Sequence, residues 1–182
     1  MHVTSNTWDR WDLAALPLFA GVSEADIAGI ARLATVIDYP PGSAVFVEDE
    51  PGDALYAVLR GRVEMRCRDR WGHEQTLATL EPGAILGEGA LLTEEPRAAT
   101  AVTVAETTVL RLTNDTFRAL LKQGDGVAHQ LLYNLARGVA SRLGEVNRRL
   151  MRLLADQHVT KVAPREDELD ELKRKLFIEW KF

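Results

Sequence analysis

Residues 36–112 constrain the fold most, because every apolar run in this stretch is cut by turn residues before a helix could form. Pro40-Pro41-Gly42, Glu50-Pro51-Gly52-Asp53, Arg60-Gly61 and Pro82-Gly83 are the interruptions. Proline lacks a backbone N–H and glycine tolerates positive φ, so such groups reverse the chain where they stand. The runs between them (44–47, 54–59, 62–68, 75–80, 98–104 and 107–112) have the length of strands. In 62–68, Val63, Met65 and Cys67 alternate with Arg62, Glu64, Arg66 and Arg68, the period of a strand with one wet face. Its tip, Arg70-Trp71-Gly72-His73, turns the chain into the next run. Many short strands at this spacing predict an antiparallel sandwich, barrel or roll.

Helical patterns flank this block. Ser23 suits an N-cap, Glu24 and Asp26 suit a first turn, and Ile27, Ile30, Ala31 and Ala34 repeat at helical spacing through about Ala34. Thr113 or Asn114 can cap a second helix through about Lys122, which Gly124-Asp125-Gly126 ends. A long helix is predicted over 127–157. Its Leu132, Leu135, Val139, Leu143, Val146, Leu150 and Leu153 form a coiled-coil-like seam, for which a second copy of the chain is the simplest partner. Residues 165–182 run from acidic to basic and close on Trp180, Lys181 and Phe182. That order suits a helix dipole, and the aromatic end suits docking on a partner or on the chain itself.

A length of 182 residues, 46% of them hydrophobic, accommodates one domain with extensions. We divide it into an N-terminal extension (1–12) carrying Trp8 and Trp11, a domain (13–157) that includes the long helix, and a tail (158–182). Cys67 is the one cysteine, so there is no disulfide framework. His2, His73, His129 and His158 lack metal-ligand spacing, and Ser23, Ser43 and Ser141 sit in no nucleophile-elbow context. Neither a metal, nor a cofactor, nor an enzyme's catalytic group is expected. The net charge of −5 disfavours polyanions, and the stretch after Gln157 is balanced in charge, so DNA binding is not expected either. With no apolar run of about 18 residues and no signal-peptide pattern, stable membrane insertion is not expected and the cytoplasm is the expected location.

The segment that carries chemistry is Ala84-Ile85-Leu86-Gly87-Glu88-Gly89-Ala90-Leu91-Leu92, followed by Pro96-Arg97-Ala98-Ala99-Thr100. Glycine permits close approach of a ligand to the backbone, and free N–H groups at a helix start attract anions. The arginine fork suits a phosphate. A carboxylate repels phosphate, so Glu88 is the better partner for a hydroxyl. An acceptor for sugar beside a cation for phosphate describes a nucleotide pocket.

That segment resembles the phosphate-binding cassette of cyclic nucleotide-binding domains, the modules of catabolite activator proteins, cyclic-nucleotide-dependent kinases and gated channels. The resemblance runs over about 13–155 and includes Leu18-Phe19, Gly52-Asp53-Ala54-Leu55-Tyr56, Pro82-Gly83, Gly87-Glu88 and Pro96-Arg97-Ala98-Ala99-Thr100, in the family's order. It implies a mainly β fold with flanking helices: a jelly-roll-like β-roll, or double-stranded β-helix, followed by the long C-terminal helix. It also implies that Glu88 holds a ribose hydroxyl and Arg97 a cyclic phosphate, with backbone amides around Gly87, Ala90 and Ala98 completing the cradle. Ala98 is similar to the cyclic-AMP-preferring version, where cyclic GMP binders often carry threonine. Matching Leu143 to the family's apolar run sets Val146 and Asn147 opposite the base. Leu86 and Gly89 depart from the pattern, and Gly89 weakens the cassette helix by about 1 kcal/mol. The expected function is a cyclic nucleotide sensor, for cyclic AMP or else cyclic GMP, acting on an unknown protein effector. The alternative is a ligand-free β-roll acting as a dimeric scaffold.

Overall fold

The computed structural model describes residues 2–3, 8–68, 72–93 and 95–158, with no description of the side chains of His2, Val3 and Leu150 or of those from Leu153 onward. The Arg70-Trp71 tip, the Leu150 and Leu153 seam positions and the tail from residue 159, with Trp180 and Phe182, therefore lie outside the described part. The chain divides into two compact units, Met1–Ala136 and Arg137–Phe182.

The first unit is the β structure with its helices. Its strands are β1 (His2–Val3), β2 (Thr35–Tyr39), β3 (Ala44–Phe46), β4 (Ala54–Arg60), β5 (Val63–Arg68), β6 (Glu74–Leu80), β7 (Ile85–Leu86), β8 (Thr100–Thr103) and β9 (Thr107–Thr113). They form two sheets of order β1-β2-β9-β4-β7 and β3-β8-β5-β6, and every pairing among them is antiparallel. This is the mainly β roll that the turn spacing and the resemblance predict.

Alternation along β4 explains how one strand serves two cores. Leu55, Ala57 and Leu59 point into a cluster with Leu18, Phe19, Ile27, Phe117 and Leu131. Ala54, Tyr56 and Val58 join Ile37, Tyr39, Phe46, Val63 and Val109 in a second cluster. Successive side chains of a strand face opposite sides, so a strand covered on both sides must be apolar throughout. β4 is buried along its length up to Arg60, where its sequence turns polar.

The helices are α1 (Glu24–Ala31), α2 (Glu88–Thr93), α3 (Asn114–Lys122) and α4 (Gly126–His158). Ser23 caps α1 by accepting the N–H of Asp26 at 3.3 Å. Thr113 is the cap of α3, accepting from the N–H of Thr116 at 3.2 Å, which leaves Asn114 free for another role. α1 ends at Ala31, before the predicted Ala34, and residues 32–34 turn the chain into β2, which pairs with β9. Gly124 takes φ +75°, which separates α3 from α4. Within the first unit Asn134 of α4 is buried and donates to the carbonyls of Leu18 (2.8 Å) and Ala20 (2.9 Å), fixing the entry to α1. Trp8 and Trp11 pack half-buried on the same core.

In the second unit α4 continues with its seam exposed: Val139, Leu143 and Val146 are 37%, 39% and 57% accessible. Among the described residues no helix is long and apolar enough to cross a membrane.

Candidate functional site

Gly87 follows the two-residue strand β7 and takes φ +82°, a conformation that a side chain would strain. The turn it makes delivers Glu88 to the first position of α2, where the carboxylate-bearing residue is buried, 8% exposed. Ala90 is buried as well, and Gly89 faces outward between them.

Arg97 lies on the connection from α2 to β8. Its backbone is pinned to the 49–50 turn: the N–H of Arg97 donates to the Glu50 carbonyl at 2.8 Å, and its own carbonyl accepts from Asp49 N–H at 2.9 Å. β8 begins at Thr100 and not at the predicted Ala98, which lies in a bend and is exposed. The guanidinium turns inward and is only 3% exposed. It stacks over the Phe46 ring, with Cζ 4.2 Å from the centroid, and Tyr56 stands 5.8 Å away. Nη1 donates to the Gly87 carbonyl at 2.9 Å, and Nη2 to the Ala54 carbonyl at 2.7 Å. The structure thus brings Gly87 and Arg97 into direct contact, with Glu88 next in the chain.

The balance of charge around this arginine is incomplete. Its anionic contact is Asp53 Oδ1 at 3.4 Å, and the Asp53 side chain is 64% exposed. Asp53 is also shared, since its Oδ2 accepts from Arg111 Nη2 at 2.5 Å. Burial alone would lower the pKa of Arg111, but bonds to Tyr56 and Asp53 outweigh it and hold the group above its ordinary value. Arg97 Nε is buried without a hydrogen-bond partner. A buried cation facing a solvated, shared carboxylate, with one donor unmet, is a group whose charge a further anion would compensate.

Several participants went unassigned in the sequence. Gly52 and Asp53 read there as turn residues and as part of the family resemblance, with no role at the site assigned to them. A Cβ on Gly52 would overlap the Ala90 methyl and reach 3.3 Å from Arg97 Cζ, so the glycine is required by close approach of three segments. Phe46 and Tyr56 read as strand residues, and nothing in their spacing reports that their rings face an arginine. Asn147 sits in the second unit with its side chain exposed. Among the described residues no group of three or more His, Cys, Asp or Glu could hold a metal.

A β-roll that buries an arginine against a glycine turn and a glutamate-led short helix has the architecture of the cyclic nucleotide-binding modules. Residues 36–124 match the family model for the cyclic nucleotide-binding domain, and the chain belongs to that family. It is 32% identical over 142 residues to the CRP-like cAMP-activated global transcriptional regulator of Mycobacterium tuberculosis, covering 78% of this chain and 62% of that one. It is 35% identical over 147 residues to the cyclic AMP receptor protein of Thermus thermophilus, covering 81% and 66%. Among solved structures, the N-terminal domain of a transcriptional regulator from Streptomyces coelicolor A3(2) superposes with a TM-score of 0.62 at 30% identity, covering 71% of this chain and 93% of that one. The chain thus spans 62% and 66% of the length of the two regulators.

Proposed function

We propose that this protein is a cyclic nucleotide sensor with cyclic AMP as its ligand. The observation that carries the reading is the buried guanidinium of Arg97, whose Nε has no hydrogen-bond partner among the described residues and whose ion pair is with a solvated, shared carboxylate. In this reading the cyclic phosphate compensates Arg97, while Glu88 accepts from the ribose 2′-hydroxyl. The amides around Gly87, Gly89, Ala90 and Ala98 line the phosphate. The names of the two regulators, both of which cite cyclic AMP, support that ligand over cyclic GMP, as does alanine at position 98. The protein works by binding and not by catalysis, as a homodimer through α4, and hands its response to a protein effector in the cytoplasm. Switching between two states requires the ligand to favour one of them; moving 1:99 to 99:1 takes about 5.5 kcal/mol of differential binding.

One observation favours the scaffold reading: both Nη atoms of Arg97 already donate to protein carbonyls. Isothermal titration calorimetry decides between the two. The sensor predicts micromolar or tighter binding of cyclic AMP, weaker binding of cyclic GMP, and loss of both with Arg97→Ala. No heat with either nucleotide would leave the scaffold.

A further inference from the structure

We propose that Asn114 is a positioning residue for Arg97, tying the start of α3 to the anion-binding arginine; this rests on the reading of Arg97 as the phosphate ligand. Asn114 is the first residue of α3 and is 6% exposed, yet it does not cap the helix, since Thr113 does. Its side chain reaches out of the helix instead: Nδ2 donates to the Gly52 carbonyl at 2.9 Å. Its backbone N–H donates to the carbonyl of the next residue, Asp53, at 2.8 Å. Two consecutive peptide units are therefore held from one residue.

The same short segment bears on Arg97 from its other side. The Asp53 carboxylate and the Ala54 carbonyl both accept from Arg97 Nη2. Gly52 presses so closely on Ala90 and Arg97 Cζ that no Cβ fits there. A shift of residues 52–54 therefore moves the acceptors that orient the guanidinium, and Asn114 is what fixes 52–53. Asn114 Oδ1 is buried without a partner, a cost that an apolar side chain would avoid. The favourable contribution of the amide is thus its donor to Gly52. Because coupling between sites is reciprocal, anything that re-orients Arg97 also biases the start of α3.

The test uses Asn114→Asp, which keeps the shape but sets an oxygen against the Gly52 carbonyl, together with Asn114→Ala and the control Thr113→Ala. Three quantities are read: the Arg97 side-chain 15N–1H resonances in nucleotide-free protein, the dissociation constant for cyclic AMP, and the melting temperature. Both Asn114 variants should shift the Arg97 resonances and weaken cyclic AMP about three- to tenfold, the loss of one hydrogen bond. Thr113→Ala should lower the melting temperature and leave the resonances and affinity unchanged. Unmoved Arg97 resonances and affinity in both Asn114 variants would overturn the assignment. Should Asn114→Asp fail to fold, Asn114→Ala decides alone. A wild-type protein that ignores nucleotide, but whose Arg97 resonances respond to the Asn114 variants, would sink the sensor reading and leave the positioning role standing.

Discussion

Arg97 shows how one side chain can be buried for reasons that no single contact supplies. Its flat guanidinium gains the Phe46 face, two backbone carbonyls and a weak ion pair, each of which alone would be too little for a buried charge. Tyr39 makes the complementary point for an uncharged group. Burial, with the Tyr56 and Asp53 charges behind it, raises its pKa above 10.0, and Arg111 only partly opposes the shift. The stabilising contribution is fully present below the unfolded value and is lost as pH climbs past about 10, where the unfolded chain ionises first. Urea melts between pH 8 and pH 11 should show that decline in the wild type, and a smaller one in Tyr39→Phe.

At the scale of elements, α2 and the turn facing it are the parts most sensitive to a single methyl group. Gly52 and Gly89 are both glycines of this region, but their surroundings are opposite. A Cβ at Gly52 strikes Ala90, whereas at Gly89, within α2, it meets nothing within 4 Å. Gly52→Ala should therefore destabilise the protein by about 1–3 kcal/mol through overpacking. Gly89→Ala should stabilise it by about 0.5–1 kcal/mol through helix propensity. Chemical denaturation of the two variants checks both signs, and a shared sign would contradict this account. The helix caps were legible in advance because capping is local: Ser23 and Thr113 act on N–H groups three residues ahead. The end of α1 was not: the apolar spacing runs on to Ala34, whereas the helix ends at Ala31 and the chain turns before β2 pairs with β9.

For the whole molecule, the question is what covers the seam of α4. Val139, Leu143 and Val146 repeat at helical spacing and are exposed in one chain, a stripe suited to an identical helix in the proposed dimer. Sedimentation should find a dimer at tens of micromolar, and Leu143→Glu should shift it to monomer while the first unit keeps its melting transition. A wild-type monomer at that concentration would remove the seam from the account. Recognition at this scale needed only order along the chain. Gly-Asp before Ala54, Pro82-Gly83, Gly87-Glu88 and Pro96-Arg97 follow one another as they do in the family, and residues 36–124 match it.

The sequence by itself determined the alternation of short strands with turns, the two capped helices, and the arginine and glutamate worth watching, because periodicity, capping and turn chemistry act over a few residues. Only the tertiary structure decided that Gly52, Asp53, Phe46 and Tyr56 surround Arg97 and that Asn114 holds Gly52, since the contacts come from segments dozens of residues apart. Nor could spacing reveal that the guanidinium is buried with its Nε unmet. Burial is a property of how distant segments pack, and no local pattern encodes it.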